Sequence, residues 1–208
     1  MAQASQVDRG ASALEAQIRE CFGRVVYSTK THEKCADLCM DRLRWVKVVQ
    51  LLLSALTTGG LLTAILGDPK VSQVATVVSA IVSTILLVLN AYMKDVDPGQ
   101  QAEKHKKTAS ELWDVRESYL SMLSDLHDGH LDIGNVRSRR DELQTRLVSI
   151  YAAAPRTSAK AYGIASVGLK QDEELTFSDA EIDKFLPAAL RRTPGDEQGA
   201  DAKQERQQ

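Results

Sequence analysis

The sequence predicts an all-α integral membrane protein, a two-span helical hairpin with a long N-terminal helix before it and cytoplasmic C-terminal helices after it. Val48 to Gly67 is a run of 20 residues without a charge, and Val71 to Met93 is a run of 23, whereas the segments on either side are densely charged. At about 1.5 Å per residue, each run makes a helix of roughly 30 Å or more, the thickness of a bilayer's hydrocarbon core. Only Asp68-Pro69-Lys70 separates the two runs, so the spans must be antiparallel. Elsewhere apolar residues recur at helical steps of three and four, and no segment alternates long enough to argue for a strand. The competing arrangement, a buried hairpin in a soluble bundle, is disfavoured because two adjacent uncharged runs of this length are rare in soluble cores.

Charge excludes one large class of function. With 26 basic against 28 acidic residues among 208, the chain has no surplus of Lys and Arg with which to displace counterions from a phosphate backbone, and a dedicated nucleic-acid binder is not expected.

Taken in order, residues 1–11 are expected to be a disordered N-terminus and residues 12–47 a cytoplasmic helical arm. Along the arm Leu14, Ile18, Phe22, Val25, Thr29, His32, Ala36, Cys39, Leu43 and Val46 form one stripe that runs straight into the first span, residues 48–67. A continuous helix from about Ser12 follows, with an apolar seam that needs a partner. Residues 68–70 make the turn, where Gly67 and Pro69 supply the stop and the restricted backbone, and residues 71–93 form the second span. Lys30, Lys34, Arg42, Arg44, Lys47, Lys94, Lys104, Lys106 and Lys107 flank the outer ends of the spans against Lys70 alone in the turn, which places both termini in the cytoplasm. Asp97-Pro98-Gly99 breaks the chain's helical course. Residues 100–152 then read as a helical hairpin, with stripes at Ala102, His105, Ala109, Leu112, Tyr119, Leu123 and Leu126 and at Ile133, Val136, Leu143, Leu147 and Ile150, reversing at Asp128-Gly129. Small helices are expected in residues 153–192, one over about Ser158 to Lys170 and one started by a Ser178/Glu181 capping box and ended by Pro187. Residues 193–208 are too polar to offset the entropy of ordering and read as a disordered tail.

Little in the chain suggests chemistry. His32, Cys35 and Cys39 share a helical face, but Cys21 lies roughly 20 Å away along the same rod, so no fourth zinc ligand closes the tetrahedron. No metal site is expected, and the cysteines read as small seam residues whose thiols stay reduced. His127-Asp128-Gly129-His130 reads as an interhelical loop, because Gly129 fixes neither imidazole. The sequence has no nucleotide-binding glycine loop and no nucleophile elbow, and neither span carries an ionisable Asp, Glu, His, Lys or Arg. We therefore expect no enzyme and no cofactor.

The spans do carry many small and hydroxylated residues. Thr57, Thr58, Thr76, Ser79, Ser83, Thr84 and Asn90 are candidates for lining a pore or packing the spans, and Ala55, Gly59, Gly60, Thr63 and Ala75 are candidates for close helix approach. Packing within one hairpin and assembly of several hairpins around an aqueous path both account for them. Two spans alone cannot enclose a pore, so the second alternative requires a homo-oligomer in the lipid bilayer.

Three segments resemble the SLATT domain family, the SMODS- and SLOG-associating two-transmembrane effectors. They are Leu112-Trp113-Asp114-Val115-Arg116-Glu117-Ser118-Tyr119-Leu120, then Ile150-Tyr151-Ala152-Ala153-Ala154-Pro155-Arg156-Thr157 with Ala161-Tyr162, and Thr176 to Pro187. The resemblance covers about Leu14 to Arg191. It implies a membrane effector of a prokaryotic antiviral conflict system at the inner membrane, pore-forming or otherwise membrane-disrupting. Because no nucleotidyltransferase or sensor domain is fused to this chain, the trigger is expected from a separately encoded nucleotide-generating or nucleotide-sensing partner. The alternative is a membrane-anchored structural or adaptor protein that recruits partners through its cytoplasmic helices.

A charge at mid-bilayer costs about 2.5 to 3.5 kcal/mol on insertion scales. Leu61→Arg should therefore lower the membrane-inserted yield, measured by fractionation after carbonate extraction, and wild-type yield would mean that this position faces water.

Overall fold

In a computed structural model of the chain, residues 2–127, 132–187 and 191 are described, and they form six helices. These are α1 (Ala2–Leu66), α2 (Pro69–Val96), α3 (Pro98–His127), α4 (Ile133–Ala153), α5 (Ala159–Lys170) and α6 (Asp179–Phe185). No strand occurs among the described residues. The expected reversal at Asp128-Gly129 and the expected tail at 193–208 lie outside them.

Proline placement accounts for the punctuation. The first proline is Pro69, so nothing in α1 removes a backbone donor, and the helix runs unbroken through arm and span for 65 residues. It starts at Ala2 rather than near Ser12, and the backbone of residues 2–11, expected to be disordered, lies within the helix. Pro69 and Pro98 each occupy the start of a helix, where the missing N–H is no loss. Pro155 and Pro187 follow the ends of α4 and α6.

Asp97 makes the second break sharp. With φ 37 it adopts the left-handed conformation and caps α2 through its N–H to the Met93 carbonyl. Its carboxylate meanwhile accepts from the Gln100 N–H at 3.0 Å, so one residue closes α2 and opens α3. At the hairpin tip the Gly67 N–H bonds the Thr63 carbonyl at 2.9 Å. A Cβ on Gly67 would come within 2.6 Å of that same oxygen, so the tight tip requires glycine.

The chain divides into two units, residues 1–166 and 167–208, with the boundary inside α5. In the first unit α1 pairs along its length with α2 and then α3, both antiparallel to it, and α4 returns parallel to the arm. Leu14, Ile18, Cys21 and Val25 of α1 form the core with Leu112, Val115, Tyr119 and Met122 of α3 and Val136, Leu143 and Ile150 of α4. The arm's seam is thus filled within the chain. Polar contacts fix the three helices around it: Arg140 donates to Gln17 at 2.7 Å, Arg146 pairs with Asp114 at 2.5 Å, and the Arg116 guanidinium of α3 lies over the Phe22 ring of α1 with 5.7 Å to its centroid. In the second unit the Glu181 carboxylate accepts from the Ser178 N–H at 2.8 Å and from its hydroxyl at 2.9 Å, which forms the capping box of α6.

The two apolar stretches behave differently from this core. Leu51, Leu56, Ile65, Leu66, Leu87 and Val88 are exposed, and almost none of either stretch is buried, although both helices are long and apolar enough to cross a membrane.

Tyr119 is the largest fully buried side chain among the described residues, and, apart from the weak-acceptor thiol of Cys21 beside it, its hydroxyl has no hydrogen-bond partner among them. Tyr119→Ala should lower stability by about 3 to 5 kcal/mol, whereas Tyr119→Phe, which removes a hydroxyl with no stronger partner than the Cys21 thiol, should leave the melting temperature unchanged or raised. A large loss from Tyr119→Phe would show that the hydroxyl is bonded.

Candidate functional site

Within the hairpin, Gln50, Leu53, Thr57, Gly60 and Ala64 of α1 face Ser72, Ala75, Ser79, Val82, Leu86 and Leu89 of α2. Steps of three and four on both helices make a heptad-like seam. It is closest at Gly60, where an added Cβ would collide with the Ser79 hydroxyl. Ser79 is fully buried there without a hydrogen-bond partner among the described residues. The Ser72 hydroxyl donates to the Ala64 carbonyl near the tip, and Gln50 donates to Asn90 at 2.6 Å near the other end.

Of the residues singled out in the spans, Thr57, Gly60, Ala75 and Ser79 lie on this internal seam. Ala55, Thr58, Gly59, Thr63, Thr76, Ser83, Thr84 and Asn90 do not, and a Cβ on Gly59 would meet nothing. Their distribution is uneven. Ser54, Thr58, Thr76, Ala80, Ser83 and Asn90 each follow a seam residue by one position. In an antiparallel pair of right-handed helices, a step of about 100° past each seam reaches the same flank of the hairpin. The residues one position before the seam, among them Leu52, Leu56, Val74, Val78, Ile81, Ile85 and Val88, lie on the opposite flank, which is aliphatic apart from Gly59 and Thr63. Leu51, Leu61, Ile65 and Leu87 interrupt the hydroxyl-rich flank. Thr57, Thr58, Thr63, Thr76 and Thr84 each donate to the carbonyl four residues earlier, so their hydroxyl hydrogens are satisfied without water.

The far end of the hairpin carries a signal that hydropathy alone did not reveal. Trp45 on α1 and Tyr92 on α2 are both exposed and lie at nearly one level, and Arg42 donates to the Tyr92 hydroxyl with its guanidinium 5.6 Å from the ring centroid. Amphipathic rings beside basic side chains are the composition found at a bilayer boundary.

Further along the arm, His32 and His105 bring their Nδ1 atoms to 2.9 Å between α1 and α3, both nearly fully buried. The sequence places each on a separate apolar seam, and nothing in its spacing signals that the seams align the two. His32 is therefore bonded to His105 rather than grouped with Cys35 and Cys39, and among the described residues no group of three or more potential ligands comes together. Buried Thr29, Thr31 and Thr108 complete a polar layer, and each donates to the carbonyl four residues earlier. Beside the layer is a cleft of about 480 Å³ whose lining includes Tyr27, Thr31, His32, Tyr151, Arg156 and Tyr162. Tyr27 and Tyr162 face each other with ring centroids 6.0 Å apart, and the Tyr151 hydroxyl donates to Ser28 at 3.0 Å.

Residues 14–181 match the family described as SMODS and SLOG-associating 2TM effector domain family 4. The chain belongs to this SLATT family. Neither a curated protein nor a solved structure matches it. Family membership implies a membrane effector of conflict systems, and the two apolar helices of the SLATT chain fit a two-transmembrane domain. The segments that resemble the family have distinct places in the SLATT fold. Leu112, Val115 and Tyr119 fill the core, and Tyr151, Arg156 and Tyr162 line the cleft.

The histidine pair makes the SLATT bundle sensitive to acid. Burial, and then the neighbouring His105, lowers the His32 pKa from 6.5 to about 4, and burial lowers that of His105 as well. Below about pH 6.5 the unfolded chain takes up protons that the folded pair resists, so this stability is intact above pH 6.5 and falls away toward pH 4. Thermal melts in detergent should show a loss of up to about 3 kcal/mol over that interval. A His32→Gln, His105→Gln double variant should flatten the profile, and an unchanged slope would assign the acid sensitivity elsewhere.

Proposed function

We propose that this SLATT protein kills or arrests its host cell by permeabilising the inner membrane, with both termini in the cytoplasm and several copies of the hairpin assembled around an aqueous path. The observation that carries this reading is the division of the hairpin into a hydroxyl-rich and an aliphatic flank. A passive anchor surrounded by lipid has no need for such a division, whereas an assembly needs one side for water and another for acyl chains. Exposed Ala55, Gly59 and Thr63 supply a stripe along which a neighbouring hairpin can approach closely. Because the arm's seam is occupied by α3 and α4, contacts between copies in this reading come from the spans and from outer faces of the bundle.

One observation favours the second reading, a membrane-anchored adaptor. The span threonines satisfy their hydroxyl hydrogens on their own helices, as threonines facing lipid must. The two readings separate on the flanks. In a pore, a Thr58→Leu, Thr76→Leu, Ser83→Leu variant should still insert but lose most of its toxicity on expression and its dye leakage from liposomes. A matched Val78→Leu, Ile81→Leu, Ile85→Leu variant should keep both. Equal activity of the two variants would sink the pore and leave the anchor.

A further inference from the structure

We propose that the cleft between the arm of α1, the end of α4 and the start of α5 binds a nucleotide, a planar base carrying phosphate. At about 480 Å³ the cleft has the size of small-molecule sites. Its chemistry divides in two. Tyr27, Tyr151 and Tyr162 supply aromatic faces, and Tyr162 is more than half exposed although its ring stands against Tyr27. Exposed tyrosine faces around a concavity suit a flat π-system, and stacking a base on one is worth about 1 to 3 kcal/mol.

The other part is an anion site. Arg156 is the only charged side chain among the lining residues, no carboxylate lines the cleft, and Arg156 has no ion pair or hydrogen bond among the described residues. A guanidinium left unpaired beside aromatic rings is matched by phosphate, which it can bind through two parallel N–H donors. Thr157, which follows Arg156 in the lining, adds a hydroxyl. His32 adds a ring that can adapt. In its bond to His105 one neutral imidazole donates and the other accepts, so a bound anion can select the tautomer in which His32 presents its remaining N–H.

A lipid headgroup is excluded by position. His32 precedes Val48 by 16 residues, roughly 24 Å along an unbroken helix, which carries the cleft away from the spans. Because that same helix becomes the first span, a ligand that draws α4 and α5 onto Tyr27 and Thr31 acts on the rod that enters the membrane. Only this coupling rests on the proposed pore, and binding stands apart from it.

The test uses the full chain in detergent micelles, titrated calorimetrically with mononucleotides and cyclic dinucleotides of all four bases, with the free nucleosides and inorganic phosphate as controls. At least one nucleotide should bind, and its nucleoside and inorganic phosphate should each bind at least about tenfold more weakly. Arg156→Gln and Tyr162→Ala should each weaken binding at least about tenfold, while Tyr162→Phe and the distant Arg139→Gln should keep wild-type affinity. No binding across the panel, phosphate alone binding as tightly as any nucleotide, or wild-type affinity in Arg156→Gln and Tyr162→Ala would overturn the assignment. Leakage from liposomes is measured separately with the nucleotide that binds. Binding without leakage keeps the site and removes its coupling to the pore.

Discussion

Everything in the first unit depends on the packing of one uninterrupted helix against two successive antiparallel partners. The seam of α1 keeps steps of three and four from Leu14 to Ala64, and only the two successive steps of four through Cys21, Val25 and Thr29 depart from strict alternation. Such an insertion locally unwinds a coiled coil without ending it. The partner seam breaks once, at Asp97, and resumes in α3. One rod therefore carries two seams, one between water-facing helices and one between helices that fit a bilayer.

The residues change along the seam because the driving force changes. In the arm, Ile18, Val25, Leu112 and Tyr119 are large and buried, since association there removes apolar area from water. In the spans, lipid is as apolar as leucine and no such gain exists, so toward the turn the seam narrows to Gly60, Ala64, Ala75 and Ser79, where contact comes from close approach, and larger residues, Leu53, Val82, Leu86 and Leu89, remain in it toward the other end. Most of the large aliphatic side chains there, Leu52, Leu56, Ile81, Ile85 and Val88 among them, face outward. Periodicity reports an apolar stripe in both places; the charge-free outer faces and the smaller seam residues near the turn distinguish the spans.

That contrast explains what was legible in the sequence. Helix order, the two apolar runs, the tight turn and the arm's stripe follow from local periodicity and from prolines at the helix boundaries, and each of these signals lies within a few residues of the feature it predicts. The partner of the arm's seam was not legible, because periodicity shows that a face must be covered but not by what. The packing roles of Gly59 and Gly60 looked alike in sequence, yet one position of helical rotation sends Gly60 into the seam and leaves Gly59 outside. The cleft was the least legible feature. Tyr27, Tyr151 and Tyr162 come from three separate helices, and the segments quoted for the family resemblance gave two of them no chemical role until the fold placed them around Thr31 and His32.

The polar layer of Thr29, Thr31, His32, His105 and Thr108 lies between the two kinds of seam, and its composition bears on how the rod is held. Each threonine there is satisfied within its own helix, so only the imidazole contact crosses between α1 and α3. A buried polar contact of this kind contributes little to affinity but penalises every register in which its two rings fail to meet, which is the role polar residues play in coiled-coil seams. An apolar layer would let α1 slide or rotate against α3 by one step at modest cost. With the histidine pair, any such movement leaves two buried imidazoles without partners. The contact is also close to the cleft, since His32 lines it and Thr31 stands beside it. Whatever changes the protonation or tautomer of His32 therefore acts on the contact that sets the register of a helix continuous with the first span.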